Sequence, residues 1–167
     1  MNGIIDTIFG FCCFLITEIG LLFGLSYEAI NVIAFCYIEP FFTGIMLILA
    51  LLALCRAPVK RVGSILFWSV AGCTVILFTV GTVLVMREGF DYSSSIEQQI
   101  RMVSIKENNS IIVDKYNNAI QWLQIMADNL NTSYHVINIA LYVITLPFLV
   151  LLSYIVIRVR KQGVLMK

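Results

Sequence analysis

The hydrophobic pattern of the chain consists of four long apolar stretches separated by polar segments. An α-helix rises about 1.5 Å per residue and the hydrocarbon core of a bilayer is about 30 Å thick, so a run of about 20 apolar residues can cross it. The pattern predicts transmembrane helices at residues 4–25, 30–55, 62–86 and 135–157. The fold class is therefore an all-α, polytopic membrane protein with four transmembrane helices.

The segment between the third and fourth stretches is polar and of mixed charge. Its apolar residues recur at helical spacing in two groups. These are Ile96, Ile100 and Val103, followed by Ile112, Tyr116, Ala119, Leu123, Met126 and Leu130. The turn-forming sequence KENNS at 106–110 separates the groups. We predict an extracytoplasmic helical hairpin, with its two helices packed together and with Tyr116 and Trp122 in their contact.

The resulting organisation has three parts: transmembrane helices 1–3 in residues 1–87, the hairpin in residues 88–134, and transmembrane helix 4 with a basic tail in residues 135–167. No internal repeat is evident. The composition agrees with a membrane protein, since 60% of the residues are hydrophobic and 13% are charged, far from the quarter charged that is usual in soluble domains. The lipid bilayer is the first expected partner.

The cations predict the orientation. They cluster at residues 56–61 and again after residue 157, and short loops rich in Lys and Arg stay in the cytoplasm. With four spans, both termini are then cytoplasmic and the hairpin lies outside, in a plasma (inner) membrane. Arg158, Arg160 and Lys161 are candidates for contact with anionic lipid. Nucleic acid is not an expected partner, because the cations lie at membrane ends.

Two acids inside apolar stretches are the candidate functional site. Glu18 lies in the first stretch, and Glu39 is followed by Pro40 in the second. The proline should bend the helix beside the carboxyl group. Both acids are expected in the outer halves of neighbouring helices, where they could share a proton or cation site. They could instead be satisfied by nearby hydroxyl groups or by surface water.

Assembly is a further interpretation of the same acids. No Lys or Arg lies within an apolar stretch, so the cation that pairs with a buried acid would come from another chain. Gly20 and Gly24 form a GxxxG spacing beside Glu18 and are candidates for close helix packing.

Catalysis is not expected. The chain has one histidine, and its five cysteines fall within or at the ends of the apolar stretches, so no catalytic triad, metal set or cofactor is predicted. The predicted function is a non-catalytic integral membrane subunit or scaffold that binds another membrane protein, or a second copy of itself, through the hairpin and the intramembrane acids. The alternative is a small proton- or cation-coupled channel or transporter that uses Glu18 and Glu39.

Overall fold

Four helices in the computed structural model are long and apolar enough to cross a membrane: Ile4–Leu22, Tyr27–Leu54, Lys60–Arg87 and Tyr134–Val159. The structure describes residues 3–55, 57–89 and 95–159. All regular elements within these ranges are helical. The all-helical, multi-pass class expected from the sequence is therefore confirmed.

The helices divide into eight α-helical and two π-helical segments. The α-helices are α1 (Ile4–Leu22), α2 (Tyr27–Asn31), α3 (Glu39–Leu54), α4 (Lys60–Glu88), α5 (Ile96–Val103), α6 (Ser110–Asn129), α7 (Tyr134–Asn138) and α8 (Leu146–Val159). The segment Val32–Ile38 joins α2 to α3, and Ile139–Thr145 joins α7 to α8. We call the two continuous helices Tyr27–Leu54 and Tyr134–Val159 the first and second central helices.

The two central helices begin with one shared sequence pattern, which corrects the expectation that the chain has no internal repeat. Residues 26–41 read SYEAINVIAFCYIEPF, and residues 133–148 read SYHVINIALYVITLPF. Serine, tyrosine, isoleucine-asparagine and proline-phenylalanine coincide when each residue is matched with the one 107 positions later. The same offset matches α1 with α6 and α3 with α8. The hydrophobic pattern conceals the repeat because α1 is apolar and α6 is largely polar.

The turn before each central helix is the same in both copies. After α1, Gly24 has φ +66° and the Leu25 N–H donates to the carbonyl of Gly20 at 2.9 Å. After α6, Asn131 has φ +50° and the Thr132 N–H donates, also at 2.9 Å, to the carbonyl five residues earlier. This is the Schellman arrangement, which needs a left-handed residue that glycine adopts without strain and asparagine tolerates.

Each central helix then starts with a serine cap. Ser26 Oγ accepts a hydrogen bond from the Ala29 N–H at 3.0 Å, and Ser133 Oγ accepts one from the Val136 N–H at 3.3 Å. The side-chain oxygen satisfies one of the N–H groups that the first turn of a helix leaves unpaired.

A seven-residue π-helical segment precedes a proline in each central helix, Val32–Ile38 before Pro40 and Ile139–Thr145 before Pro147. A proline has no N–H, and its ring clashes with the carbonyl four residues earlier. In a π-helix each N–H bonds to the carbonyl five residues back, which widens the helix. At the proline where the sequence predicts a bend, the structure therefore has a widened helix.

The two copies contact each other symmetrically. Tyr27 meets Tyr116 of α6 edge-on with ring centroids 5.9 Å apart. The matching residues, Tyr134 and Phe9 of α1, meet edge-on at 5.7 Å. Each copy therefore places its first helix against the central helix of the other copy.

The central helices run parallel, with matched positions side by side. The rings of Phe35 and Tyr142, which are 107 positions apart, have centroids 4.7 Å apart. Near the other end of the pair, Ala50 and its match Ile157 are buried in one cluster. A pseudo-twofold axis thus runs lengthwise between the central helices.

Helix α1 crosses the ends at which the central helices begin. Asp6 Oδ1 lies 2.7 Å from His135 Nδ1, and Gly20 lies against Ile30. His135 and Ile30 lie at nearly the same height along the parallel central helices. The position that matches His135 is Glu28, which is two residues, or about 3 Å along the helix, from Ile30. Asp6 and Gly20, however, are about 21 Å apart along α1. A helix parallel to the central pair could not make both contacts.

The two helices of the predicted hairpin pack on different partners. Helix α5 packs against α1, whereas α6 packs against α2 and α7. Leu123 of α6 is buried with Ile137 of α7, whereas the predicted hairpin would bury it against the apolar residues of α5. Trp122, expected in the hairpin contact, is instead 51% exposed.

Helix α4 packs against α8 near its beginning and against α1 near its end. A Cβ added to Gly63 would come within 3.0 Å of Ile157, and one added to Gly81 would come within 3.1 Å of Leu15 and 3.2 Å of Ile19. The two glycines let α4 approach both neighbours closely. They are about 27 Å apart along α4, which is nearly the thickness of the hydrocarbon core.

Candidate functional site

The contact between α3 and α8, which we call the seam, contains a regular stripe of α3 residues. The stripe has intervals of four and three residues and consists of Glu39, Thr43, Met46, Ala50 and Ala53. This spacing places all five on one side of the helix. Met46, Ala50 and Ala53 are buried with Ile157 of α8, so the stripe faces α8. Glu39 and Thr43 form its polar end.

Two oxygen atoms at the polar end of the seam are buried without a hydrogen-bond partner among the described residues. They are Oε2 of Glu39 and Oγ1 of Thr43, whose residue is 4% exposed. A buried polar group without a partner costs about 1–3 kcal/mol, and a charged one costs more. Tyr142 of the second central helix lies close enough to interact electrostatically with Glu39. A proton, a cation, a water molecule or a polar group of another molecule would complete the bonding here.

A recess of about 30 Å³ lies between α6 and the π-helical parts of the central helices. It is lined by the two asparagines of the repeated pattern, Asn31 and Asn138, and by the hydroxyl-bearing Tyr116, Tyr134 and Tyr142. A space of this volume holds about one water molecule. The recess is therefore too small for an organic substrate and polar enough for water.

The structure does not bring Glu18 and Glu39 together. Glu18 is buried, at 6% exposed, on α1. Gly20, two residues away, contacts Ile30, whereas Glu39 lies nine residues, about 13 Å, farther along the central helix. Glu18 belongs to the packing of the crossing helix, and Glu39 belongs to the seam.

Gly20 and Gly24 do not form one helical face. Gly20 is buried, and a Cβ there would lie 3.1 Å from Ile30 and 3.2 Å from the Leu25 carbonyl. Gly24 lies beyond the end of α1, in the left-handed turn, with open space around it. Gly20 thus permits a close contact within the chain, and Gly24 permits the reversal.

The segment before α6 is tied to the start of the first central helix. The Ser26 hydroxyl donates to Glu107 Oε2 at 2.5 Å, and the Asn109 N–H donates to Oε1 at 2.7 Å. These donors, Ser26 foremost, hold the pKa of the Glu107 carboxyl below its usual value. Farther along the first central helix, the hydroxyl of Tyr37 accepts a hydrogen bond from Lys115 of α6. The polar segment is therefore attached at two levels.

The exposed side of α6 carries an apolar face that the sequence interpretation missed. Ile111, Trp122 and Ile125 are 64%, 51% and 52% exposed, and intervals of 11 and 3 residues place them on one side of a helix. We call them the α6 face. The hydrophobic pattern assigned Trp122 to the hairpin contact. The internal repeat instead matches Trp122 with Leu15 of α1.

The basic residues divide between described and undescribed parts of the chain. Arg158 is exposed at the end of α8. Arg160 and Lys161, the other candidate lipid contacts, lie outside the described residues. Within the ranges that the structure describes, no group of three or more His, Cys, Asp or Glu side chains could hold a metal ion.

Comparisons with protein-family models, with curated proteins and with solved structures find no match for this chain.

Proposed function

We propose that the protein is a non-catalytic integral membrane subunit or scaffold that binds another membrane protein. The α6 face carries this proposal. Aromatic and aliphatic side chains grouped on one exposed helix face are typical of protein interfaces, where a buried tryptophan often contributes most of the binding energy. Asn118, which lies on the same side of α6 between Ile111 and Trp122, and the neighbouring Gln121 are exposed and polar. The α6 face therefore combines large apolar side chains with polar groups, as interfaces of non-obligate complexes do.

The proposed location is the plasma (inner) membrane, with the loop around Arg61 and the tail after Arg158 in the cytoplasm, as the positive-inside rule favours. Segment 88–134 is then extracytoplasmic. The sequence predicts that both termini are cytoplasmic; we instead propose that the amino terminus lies on the same side as segment 88–134. The contact of Asp6 with His135 supports this assignment, because His135 lies near the start of the second central helix, directly after segment 88–134.

Glu39 is the proposed intramembrane contribution to the partner site. A lysine or arginine of the partner that reached Oε2 would supply the missing hydrogen bond and balance the charge. Thr43, one turn along the seam, would offer a second oxygen. Glu18 is not included, because it is enclosed by the packing of α1.

The alternative proposal is a small proton- or cation-coupled channel or transporter. The observation that favours it is the pair of unpartnered oxygens of Glu39 and Thr43, close to a recess that holds about one water. Four helices leave little space for a pore, so this activity would require an oligomer. Glu39 would then be the group that titrates or binds the cation.

Co-purification in a mild detergent tests the main proposal. The protein should purify with one defined membrane protein, and Trp122→Gln should reduce that recovery about tenfold, since loss of an interface anchor costs about 1–2 kcal/mol or more. Asn117→Gln, an exposed change about 140° around α6 from Trp122, is the matched control and should leave recovery unchanged. A homogeneous preparation with no second protein would contradict the proposal.

Glu39→Gln separates the main proposal from the alternative. Glutamine keeps the shape and the hydrogen-bonding capacity but does not ionise. If a cation of the partner binds Glu39, the change should weaken the complex and leave liposomes without a transport phenotype, because there is no transport to lose. If Glu39 is a proton or cation site, a liposome flux should be present and should disappear. Pro40→Ala is the control for helix geometry, since it leaves the carboxyl group unchanged.

A further inference from the structure

The internal symmetry identifies the kind of element that fits the α6 face. In the first copy, the side of α1 that carries Leu15 and Ile19 is covered by the end of α4 around Gly81. The matching residues of α6 are Trp122 and Met126. No segment within the described ranges covers Trp122, which is half exposed. One of two equivalent helix faces is therefore covered by a long apolar helix, and the other is open.

The same asymmetry exists at the other end of the molecule. Helix α4 begins against α8, where Phe67 stacks on Tyr154 with centroids 4.0 Å apart and Trp68 Nε1 donates to the Tyr154 hydroxyl at 3.2 Å. The residue of α3 that matches Tyr154 is Leu47, which is 40% exposed, and Leu51 one turn along is 62% exposed. The side of α3 that carries Leu47 is therefore exposed, whereas the matching side of α8 is covered by α4.

We propose that a transmembrane helix of the partner membrane protein lies along α3 and α6, in the position that the pseudo-twofold axis relates to α4. It contacts Leu47 at one end and Trp122 at the other. This inference rests on the proposed function, because it requires that a membrane partner exists. It adds the surface, the type of element and the direction in which that element runs.

The contacts of α4 define the chemistry of the partner helix. The two points that α4 contacts are about 27 Å apart, so the partner helix must be apolar over about 18 residues. Trp122 occupies the position that matches the smaller Leu15, so the partner helix needs a small residue such as glycine or alanine opposite Trp122.

A second copy of this chain fits the position less well than a different protein. In each molecule of a dimer, α4 would already be in contact with α8 through Gly63 and with α1 through Gly81 of the same chain. Lipid tails alone would cover Leu47, but they would not reach Trp122 and its exposed polar neighbours Asn118 and Gln121, which belong to the segment that the proposed topology places outside the hydrocarbon core. A protein helix can provide polar side chains at that end.

Site-specific photocrosslinking tests the inference in membranes of the native host. A benzophenone amino acid replaces Leu47, Trp122 or, as the lipid-facing control, Val75 of α4, which is 64% exposed. The expected products are crosslinks from Leu47 and Trp122 to one transmembrane segment of the same partner. Mass spectrometry of the crosslinked peptides should place the two attachment points about 14 residues apart, as Phe67, which stacks on Tyr154, and Gly81, which lies against Leu15, are in α4. Val75 should give little product.

Each other result has a definite meaning. A stable complex whose partner crosslinks through Val75 and not through Leu47 or Trp122 would overturn the inference and leave the proposed function standing. Crosslinks from Trp122 to a second copy of this chain would overturn it in favour of a homodimer. Crosslinks to lipid alone, with no protein co-purified, would overturn both proposals. Gly72→Ala, at an α4 position with open space around it, controls for general disturbance of a membrane helix and should leave the Leu47 product unchanged.

Discussion

At the scale of single residues, the hydrogen bond between Ser26 and Glu107 gives a pH prediction. Its donors lower the pKa of Glu107 in the folded protein, so the contact stabilises the fold fully above the pKa of the unfolded chain, about 4.3. The stabilisation is lost as the pH falls through the lower, folded pKa. We expect the protection of the amides in residues 104–109, measured as the exchange rate relative to an unstructured chain at the same pH, to decrease below about pH 4.

Glu107→Gln is the control for this prediction. Glutamine can still accept from Ser26 but has no charge to lose, so the variant should be less protected than the wild type near neutral pH and its protection should show a much weaker pH dependence. An unchanged acid-induced loss of protection in Glu107→Gln would show that other carboxyl groups cause it.

Truncation of two neighbouring residues on α6 should change the free energy of unfolding by very different amounts. Leu123 is 3% exposed and packs with Ala127 and Ile137, so Leu123→Ala should lower the free energy of unfolding by about 2–5 kcal/mol. Trp122→Ala removes a larger side chain from an open surface and should change it by about 0.5 kcal/mol or less. Thermal unfolding in a mild detergent measures both, and a larger loss for Trp122→Ala would contradict the orientation of α6.

At the scale of elements, the two matched turns make a paired prediction. Gly24→Ala should destabilise the protein by about 1 kcal/mol or more, because a Cβ is strained at positive φ. Asn131→Gly should be neutral or stabilising for the same reason, and Asn131→Ala should be destabilising. A Gly24→Ala variant with an unchanged unfolding temperature would contradict the turn geometry.

The elements themselves were predictable to different degrees. The spacing of apolar residues located the long helices within a few residues, and the cap at Ser26 and the turn before α6 followed from local side-chain chemistry. The π-helical segments were not predictable from Pro40 alone, since a proline is compatible with a kink or with a widened helix. The direction of α1 depends on contacts such as Asp6 with His135, which are distant in sequence.

The candidate site was predictable only in part. Glu39 stands out as an acid in an apolar run, but its separation from Glu18 follows from the crossing of α1, which hydropathy does not reveal. Thr43 becomes relevant through its place in the seam. Trp122 was assigned to a buried contact because an amphipathic pattern does not state which partner covers each side of a helix.

At the scale of the whole molecule, the protein consists of two copies of one unit, and each copy has a crossing helix, a Schellman turn and a central helix. The sequence carries this repeat at residues 26–41 and 133–148. It is not apparent elsewhere because α1 and α6 contact different surroundings and therefore differ in polarity. Helix α4 packs on α1 of the first copy and on α8 of the second. The exposed residues at the matching positions of α6 and α3 are the basis of the proposed partner site.

The equivalence of α1 and α6 is the central claim, and the side of the membrane on which each begins tests it most directly. Single thiols introduced by Gly3→Cys, Lys106→Cys and Arg61→Cys in a cysteine-free background are treated with a membrane-impermeant maleimide on intact cells and again after the cytoplasmic face is opened. We expect the thiols at positions 3 and 106 to react under the same condition and the thiol at position 61 under the opposite one. Reaction at position 3 together with position 61, and not with position 106, would show that α1 spans the membrane and would contradict the two-copy architecture.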